Sequence, residues 1–344
     1  MSRTAKYDYP VQYKSKPFAE RAVSTPVSTA VLIDILSYQR FAGTEGEQAM
    51  IDKYLLAIPG AVEDDYGNIW VVVGDERPTT MFSSHTDTVE KRTAEGRKKV
   101  TLRNQYLYIG GGKGGVLGAD CGSGVWIMLN LIEAKVPGLY VFHRDEEIGG
   151  GGSLHIASHH ADALDGIKRC IAFDRKGTSH VITHQGGSRC CSDEFALGLA
   201  AALNTLPEMR FEPNDGGSFT DSANYTHIIP ECTNLSVGYY DQHTQDECQD
   251  LSFITRLVNQ LIAVDWDALP TERDPSAPDE DDPWANFYRD FNDAPGNHVG
   301  ASSYTEMVEA IAAYPTEVAD ILQTLGYRPV DLLEELAMTY GCDV

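Results

Sequence analysis

Two adjacent carboxylates, Glu146 and Glu147, follow a strand-like apolar run that begins at Leu139, and four glycines come directly after Ile148. Neighbouring side chains at the end of a strand point in different directions, so the two acids can divide their work. One carboxylate can hold a cation while the other moves protons. The plain alternative is a solvated acidic turn, because acids are mostly exposed on protein surfaces. The rest of the sequence separates these two interpretations.

Imidazole and carboxylate side chains follow three other predicted strands. The motif His85-Thr-Asp87 comes directly after a short apolar strand, although a His-x-Asp pair is often a plain hydrogen-bonded pair. Asp174 and His243 come within a few residues of the ends of two later strands. The three strands are predicted at 79–84, 168–173 and 234–238.

Asp120 opens a predicted helix that is almost entirely apolar from residue 125 to residue 133. Such a helix must be covered on nearly all sides. A carboxylate at the N-terminus of a buried helix needs a compensating positive charge, which the helix dipole and a bound cation can both supply. Asp120 is therefore a candidate metal ligand.

Strand and helix patterns alternate from residue 79 to residue 265, which predicts an α/β fold. We expect three α/β/α layers around a mixed, mostly parallel central sheet. Ligands of such sheets bind outside the carboxyl ends of the strands. Two histidines and four acids would meet there, which suits zinc, and a shared carboxylate can hold two ions about 3.5 to 4 Å apart. The pattern predicts a two-metal hydrolase built on His85, Asp120, Glu146, Glu147, Asp174 and His243.

Five motifs resemble, in order and context, those of the co-catalytic zinc exopeptidases. That superfamily includes bacterial leucyl aminopeptidases, peptidase T and the glutamate carboxypeptidases. The resemblance covers about residues 26 to 265, and the motifs are weak singly but specific as a set. The loop Gly217-Ser-Phe-Thr-Asp221 also looks like the Gly-x-Thr-Asp loop of these enzymes. The five motifs are His85-Thr-Asp87, Gly118-Ala-Asp120, Asp145-Glu146-Glu147, Phe173-Asp174 and His243.

Carried over residue by residue, the resemblance implies two zinc ions that share Asp120, with Co²⁺ or Mn²⁺ as alternative metals. Asp87 would orient the ring of His85, and Glu146 would act as the general base. One ion would be bound by His85, Asp120 and Asp174, and the other by Asp120, Glu147 and His243.

The chain departs from the family pattern in two places. Cys121 stands where relatives usually have a second acid, and because relatives often carry a cis peptide there, we expect a cis Asp120–Cys121 bond. Only a short span separates Asp174 from His243, and predicted core elements fill it. The lid and dimerisation domain that peptidase T inserts there is therefore expected to be absent. That leaves an open, aminopeptidase-like pocket and no lid-mediated dimer, with the oligomeric state otherwise open.

Composition limits the partners and the location of the protein. The 344 residues carry a formal charge of −24, which argues against nucleic-acid and anionic-membrane partners because both demand a basic face. No run approaches the roughly 20 apolar residues that span a bilayer, and the polar start lacks a signal-peptide core, so we predict a cytoplasmic protein. The seven cysteines are odd in number and contain no Cys-x-x-Cys pair, which argues against a disulfide framework.

Changes in composition also predict the domain boundaries. An N-terminal extension at 1–25 precedes a catalytic domain at 26–266. Proline and acidic residues then predict a solvated linker at 267–300, and two short helical patterns predict a small α-helical C-terminal appendage at 301–344.

A second pair of histidines, His155 and His159, lies four residues apart on a predicted helix and could chelate a metal. No third ligand is near in the sequence, whereas a structural zinc site normally has four ligands. An exposed polar face is therefore the favoured interpretation.

The combined pattern predicts a metal-dependent exopeptidase, and most directly an aminopeptidase that hydrolyses short peptides. The metal core sets the chemistry but not what flanks the amide, so an N-acyl amino-acid or small-amide hydrolase, or a carboxypeptidase, stays open. A third alternative is a non-catalytic metal-binding or interaction module of the same fold. The presence of every ligand position and of Glu146 counts against that alternative.

Overall fold

The computed structural model describes residues 27–74, 77–90, 96–110 and 115–277. These residues belong to the first of the two units into which the chain divides, Met1–Asp282. The predicted N-terminal extension at 1–25, the C-terminal appendage at 301–344 and the linker beyond residue 277 lie outside the described residues.

Most of the longer strands coincide with β-branched and aromatic runs, as β-propensity predicts. In chain order the strands are β1 (Val62–Glu63), β2 (Ile69–Val73), β3 (Thr80–His85), β4 (Lys99–Arg103), β5 (Tyr106–Gly110), β6 (Gly138–His143), β7 (Arg169–Arg175), β8 (His180–Ile182), β9 (His184–Gln185), β10 (Ser188–Arg189), β11 (Glu212–Asn214), β12 (Glu231–Ser236), β13 (Tyr239–Tyr240) and β14 (Cys248–Asp250). The α-helices are α1 (Thr29–Leu36), α2 (Glu45–Met50), α3 (Ala119–Glu133), α4 (Gly151–His159), α5 (Asp193–Leu203) and α6 (Leu251–Ala263).

Eight strands form the central sheet, in the order β1-β2-β6-β3-β7-β12-β8-β11. The middle strands β6, β3, β7 and β12 run parallel to one another. Antiparallel pairs lie on either side, β1 with β2 and β2 with β6 on one side and β12 with β8 on the other. The mixed, mostly parallel sheet predicted from the sequence is therefore confirmed.

Apolar side chains pack on both faces of this sheet, because successive side chains of a strand point to opposite faces. In β6, Tyr140 and Phe142 join one buried cluster, and Leu139 and Val141 join the other. The first cluster includes residues of α1, α3, α5 and α6, and the second includes residues of α4. Each fully buried side chain of this size contributes about 1.5 to 3 kcal/mol. The three-layer α/β/α arrangement is confirmed.

Four further strands form a smaller antiparallel sheet, in the order β13-β14-β5-β4. Strands β4 and β5 pair as an antiparallel hairpin. Its pairing with β14 was not expected, since β14 is a short polar segment more than a hundred residues later. This pairing fixes the position of the segment that follows His243.

The packed body continues past residue 266, where the sequence predicted the linker to begin. Leu269 is buried, and its carbonyl accepts a hydrogen bond from the Arg169 guanidinium at 3.4 Å. The Glu231 carboxylate accepts the backbone N–H groups of Glu272 and Arg273 at 2.6 and 3.1 Å. The backbone of this segment therefore supplies hydrogen-bond partners to buried charged groups, which composition alone does not reveal.

In the described segments, no helix combines the length and apolar character that crossing a membrane requires. The cysteines of these segments are all free and buried, namely Cys121, Cys170, Cys190, Cys191, Cys232 and Cys248.

Candidate metal centre and active site

The parallel order of β6, β3 and β7 brings several predicted site residues to one edge of the sheet. His85 is the last residue of β3 and pairs in register with His143, the last residue of β6. Glu146 and Glu147 follow β6 in a tight turn, and Asp174 lies near the end of β7. These side chains converge because the carboxyl ends of parallel strands meet at the same edge.

Asp120 approaches this edge from the N-terminus of α3. Its backbone angles are not helical, and the Asp120–Cys121 peptide is cis, as expected. Gly118, just before it, has a φ of 75°, a left-handed conformation that favours glycine. A Cβ at Gly118 would also lie 3.0 Å from the Arg40 guanidinium. A glycine is therefore required in the turn that leads into Asp120.

Asp120 contacts the two predicted histidine ligands through different oxygens. Its Oδ1 lies 3.1 Å from Nε2 of His85, and its Oδ2 lies 3.2 Å from Nε2 of His243. Asp174 Oδ1 is 3.5 Å from the same nitrogen of His85, and Glu147 Oε1 is 3.1 Å from that of His243. The structure thus brings together two ligand sets that share one carboxylate.

The spacing of these donor atoms fits bound divalent metal ions. Ligands about 2.0 to 2.1 Å from a tetrahedral zinc ion lie about 3.3 Å from one another. The observed separations run from 3.1 to 3.5 Å. Imidazole nitrogen and carboxylate oxygen are donors that zinc accepts, and the same oxygens also suit Mn²⁺. Asp87 and Asp221 add buried carboxylates, and Glu146 adds one that is 10% exposed; such groups are costly without a nearby positive charge.

The buried thiol of Cys121 is an alternative candidate for a metal ligand. Cys121 Sγ lies within 4.8 Å of donor atoms of His85 and Asp174. Its S–H donates to the carbonyl of Phe173 at 2.9 Å, and burial raises the pKa of the thiol above its usual range. Metal ligation requires the thiolate, so we assign Cys121 to packing rather than to the metal.

Asp87 holds both the histidine and the glutamate turn in place. Its carboxylate is fully buried and accepts the backbone N–H groups of Glu146 and Glu147 at 3.2 and 3.1 Å. One of its oxygens also lies 3.3 Å from Nδ1 of His85. The resemblance implied only the contact with the imidazole. The contacts with the turn show that Asp87 also positions the adjacent glutamates.

Glu146 lies beside the two ligand sets rather than within them. Its Oε2 is 3.9 Å from Nε2 of His85. Burial raises the pKa of Glu146 well above its usual range, and although His85 opposes this shift, the carboxylates of Asp174 and Asp221 reinforce it. A carboxyl group with a raised pKa is suited to take up a proton and release it again.

The centre opens to solvent on one side, at His243. The side chain of His243 is 45% exposed, whereas those of the other ligand candidates are at most 10% exposed. Hydrogen bonds to Asp120 and Glu147 raise the pKa of His243 to about 10. A small substrate could reach the centre from this side.

Two residues that hold the backbone next to the Asp120 carboxylate were missed in the sequence. The buried Glu247 carboxylate accepts the backbone N–H groups of Gly118 and Asp120 at 2.9 and 3.1 Å. The buried Arg40 guanidinium donates to the carbonyls of Thr86 and Gly118 at 2.7 and 2.6 Å. Only the closeness of Glu247 to His243 in the sequence could have signalled its role, and Arg40 lies in no motif.

We expect the metal-free protein to lose stability as the pH rises from about 5 to about 8. Burial and the Asp120 charge raise the pKa of Asp174 to about 7, and burial raises that of Asp221 to about 7. The pKa of His243 is raised as well. Each group holds more protons in the folded chain than in the unfolded chain. Its stabilising effect is therefore complete below the unfolded pKa and is lost as the pH rises through the folded pKa.

Thermal unfolding of chelator-treated protein at the two ends of this pH interval checks the expectation. The melting temperature should be at least about 4 °C lower at the higher pH. Saturating zinc should remove the trend, because the ligands bind metal in their deprotonated forms. A metal-free protein whose melting temperature stays constant or rises over this interval would contradict the electrostatic description of the centre.

The chain is similar in structure to several solved peptidases. A tripeptidase from Staphylococcus aureus matches with a TM-score of 0.56 and 15% identity, over 68% of this chain and 96% of that chain. The TET1 peptidase of Pyrococcus horikoshii matches with a TM-score of 0.54 and 14% identity, over 68% and 98%. The LapA aminopeptidase of Legionella pneumophila matches with a TM-score of 0.52 and 17% identity, over 76% and 74%.

The chain therefore has the α/β/α fold of these peptidases, and the fold implied by the resemblance to the co-catalytic zinc exopeptidases is confirmed. No protein-family model and no curated protein sequence matches the chain.

Proposed function

We propose that this protein is a metal-dependent aminopeptidase that removes N-terminal residues from short peptides. The observation that carries the proposal is the Asp120 carboxylate, whose two oxygens face different histidines at 3.1 and 3.2 Å. A carboxylate shared between two ligand sets is the arrangement that two-metal hydrolases use. The fold of tripeptidases and aminopeptidases supports a peptide substrate. A cytoplasmic location is proposed from the sequence alone.

In this proposal the two ligand sets hold two zinc ions. His85, Asp120 and Asp174 would bind one ion, and Asp120, Glu147 and His243 the other. When bound, the ions would polarise the scissile carbonyl group and make water more acidic. Asp87 holds the His85 ring and the glutamate turn in place through three contacts, one with Nδ1 of His85 and two with the backbone N–H groups of Glu146 and Glu147.

Glu146 is the group that moves protons. Its carboxylate accepts a proton from the attacking water and then donates that proton to the nitrogen of the leaving amine. The raised pKa of Glu146 favours the first step, because a stronger base takes a proton from water more readily and keeps it until the amine leaves. Glu146 must be ionised before the first step, so activity requires the deprotonated form in the free enzyme.

The surroundings of the centre favour a small, unhindered substrate. The described chain between Asp174 and His243 consists of β8 to β13 and α5 with their connections, and no inserted lid is present in that span. Beside the glutamate turn, Ile148 is 49% exposed and Phe219 is 44% exposed. These two side chains offer apolar surface to a substrate side chain, and the open edge gives no basis for a lid-mediated dimer.

Paired substrates test the proposal. Zinc-loaded protein should hydrolyse leucyl peptides and leucine p-nitroanilide, and the N-acetylated forms should react far more slowly. The opposite preference would identify a deacylase or small-amide hydrolase, and cleavage of N-blocked dipeptides would identify a carboxypeptidase. If fully metal-loaded protein hydrolysed none of these substrates, the non-catalytic alternative would replace the proposal.

A further inference from the structure

A second group of metal-binding side chains lies at the C-terminal end of α4, outside the ligand sets of the centre. Asp65 Oδ1 is 3.0 Å from Nε2 of His155 and 2.9 Å from Nε2 of His160. The three donor atoms lie within 4.8 Å of one another. We propose that Asp65, His155 and His160 form a third metal site, which binds a divalent first-row transition metal such as zinc.

The end of α4 is what brings the two histidines together. In a continuing α-helix, residues five apart would point roughly 140° away from each other around the axis. α4 ends at His159, and His160 has a φ of −127° and a ψ of 23°, which are not helical angles. Its ring therefore turns back to within 5.3 Å of the His155 ring, measured between ring centroids. The irregular residue supplies the ligand that the sequence did not reveal.

His159, the expected partner of His155, has a different role. Its Nδ1 donates to the carbonyl of His155 at 3.2 Å, and its ring stacks on the His155 ring with centroids 4.6 Å apart. His155 and His159 are thus a stacked pair, whereas His155 and His160 share the Asp65 carboxylate. This difference makes His159 a matched control for the proposed site.

The turn that carries Asp65 is fixed by its own hydrogen bonds. The neighbouring Asp64 carboxylate accepts the backbone N–H groups of Tyr66, Gly67 and Asn68 at 3.0, 2.9 and 2.9 Å. The Tyr66 ring also packs against His155, with centroids 5.2 Å apart. Asp65 is therefore held next to both histidines before any metal arrives, which lowers the ordering cost of binding.

The charge and exposure of the three side chains suit an open metal site. The Asp65 side chain is 70% exposed, while those of His155 and His160 are 18% and 36% exposed. Hydrogen bonds from His160 and His155 lower the pKa of Asp65 to about 2, so the carboxylate is ionised at neutral pH. Three protein ligands leave a position for water, as in zinc sites that are not closed. The net charge of −24 also attracts cations to the molecule.

Zinc binding to four full-length proteins tests the inference. Wild type, Asp65→Asn, His160→Gln and the control His159→Gln are dialysed against the same series of free zinc concentrations, and bound zinc is measured by atomic emission. We expect wild type and His159→Gln to bind one equivalent more than Asp65→Asn and His160→Gln. Circular dichroism and thermal unfolding without added zinc show whether the variants fold alike, as expected for side chains at the surface.

The comparison does not depend on turnover or on how many ions the Asp120 centre holds, because that contribution cancels between the proteins. Equal zinc binding by all four would overturn the inference. Loss of one equivalent in His159→Gln would also overturn it, since the helical histidine pair would then be the chelator.

Discussion

Replacing Glu146 with glutamine is expected to lower kcat by at least about 10²- to 10⁴-fold, the range that general acid–base catalysis contributes. Glutamine keeps the size and the polar carbonyl of glutamate but cannot accept a proton. Because Glu146 lies beside the ligand sets, 3.9 Å from the His85 imidazole, the variant should still bind its full complement of zinc. Steady-state kinetics measures kcat, and metal analysis of the same preparation measures the bound zinc.

The neighbouring acid provides a matched control for this variant. Asp145 lies in the same turn and has a left-handed φ of 60°, a conformation that asparagine also tolerates. Its carboxylate accepts a hydrogen bond from the hydroxyl of Tyr66 at 2.8 Å. Asp145→Asn removes one negative charge from the turn and should keep kcat close to wild type. If zinc-replete Glu146→Gln turned over at the wild-type rate, Glu146 would not be the base.

Replacing Asp120 with asparagine is expected to weaken the binding of both metal ions and to abolish measurable turnover. An amide has one acceptor oxygen, and its NH₂ group would face one of the two imidazoles that now contact Asp120 at 3.1 and 3.2 Å. The loss of affinity should exceed the roughly 10- to 100-fold that removal of an outer partner of a ligand costs. Competition with a chelator measures the two zinc affinities one after the other.

Variants of the two carboxylates that belong to a single ligand set show whether the effect of Asp120→Asn reflects a shared carboxylate or only the loss of one negative charge. Asp174→Asn should weaken one of the two zinc affinities, because the Asp174 carboxylate lies beside the His85 imidazole, at 3.5 Å, and belongs to that ligand set. Glu147→Gln should weaken the other, because the Glu147 carboxylate lies beside the His243 imidazole, at 3.1 Å, and belongs to that second ligand set. An Asp120→Asn protein that lost affinity for one ion alone, as these two variants should, would show that the carboxylate is not shared.

The sheet edge and the side chains that meet there could be predicted because strand ends can be recognised in the sequence. His85 and Asp174 follow apolar runs directly, and parallel strands place such residues at a common edge. Asp120 was identified from the apolar helix behind it. The division of ligands between two ions came from the family resemblance, since spacing alone does not tell which histidine faces which oxygen.

Long-range polar contacts could not be predicted in the same way. Glu247 reaches the backbone of Asp120 only because β14 pairs with β5, and neither short strand has a strong pattern. His155 shares the Asp65 carboxylate with His160 rather than with His159 because α4 ends at His159, and the ends of helices are poorly determined by periodicity.

Hydrolysis measured against added zinc tests the central claim most directly. Metal-free protein would be titrated with zinc while the release of leucine from a leucyl peptide is followed, with the N-acetylated peptide as the control. The shared Asp120 carboxylate predicts that the metal-free protein is inactive and that activity reaches its maximum when the centre holds two ions, with the acetylated peptide left intact. Full activity in metal-free protein, or no hydrolysis with both ions bound, would contradict the claim.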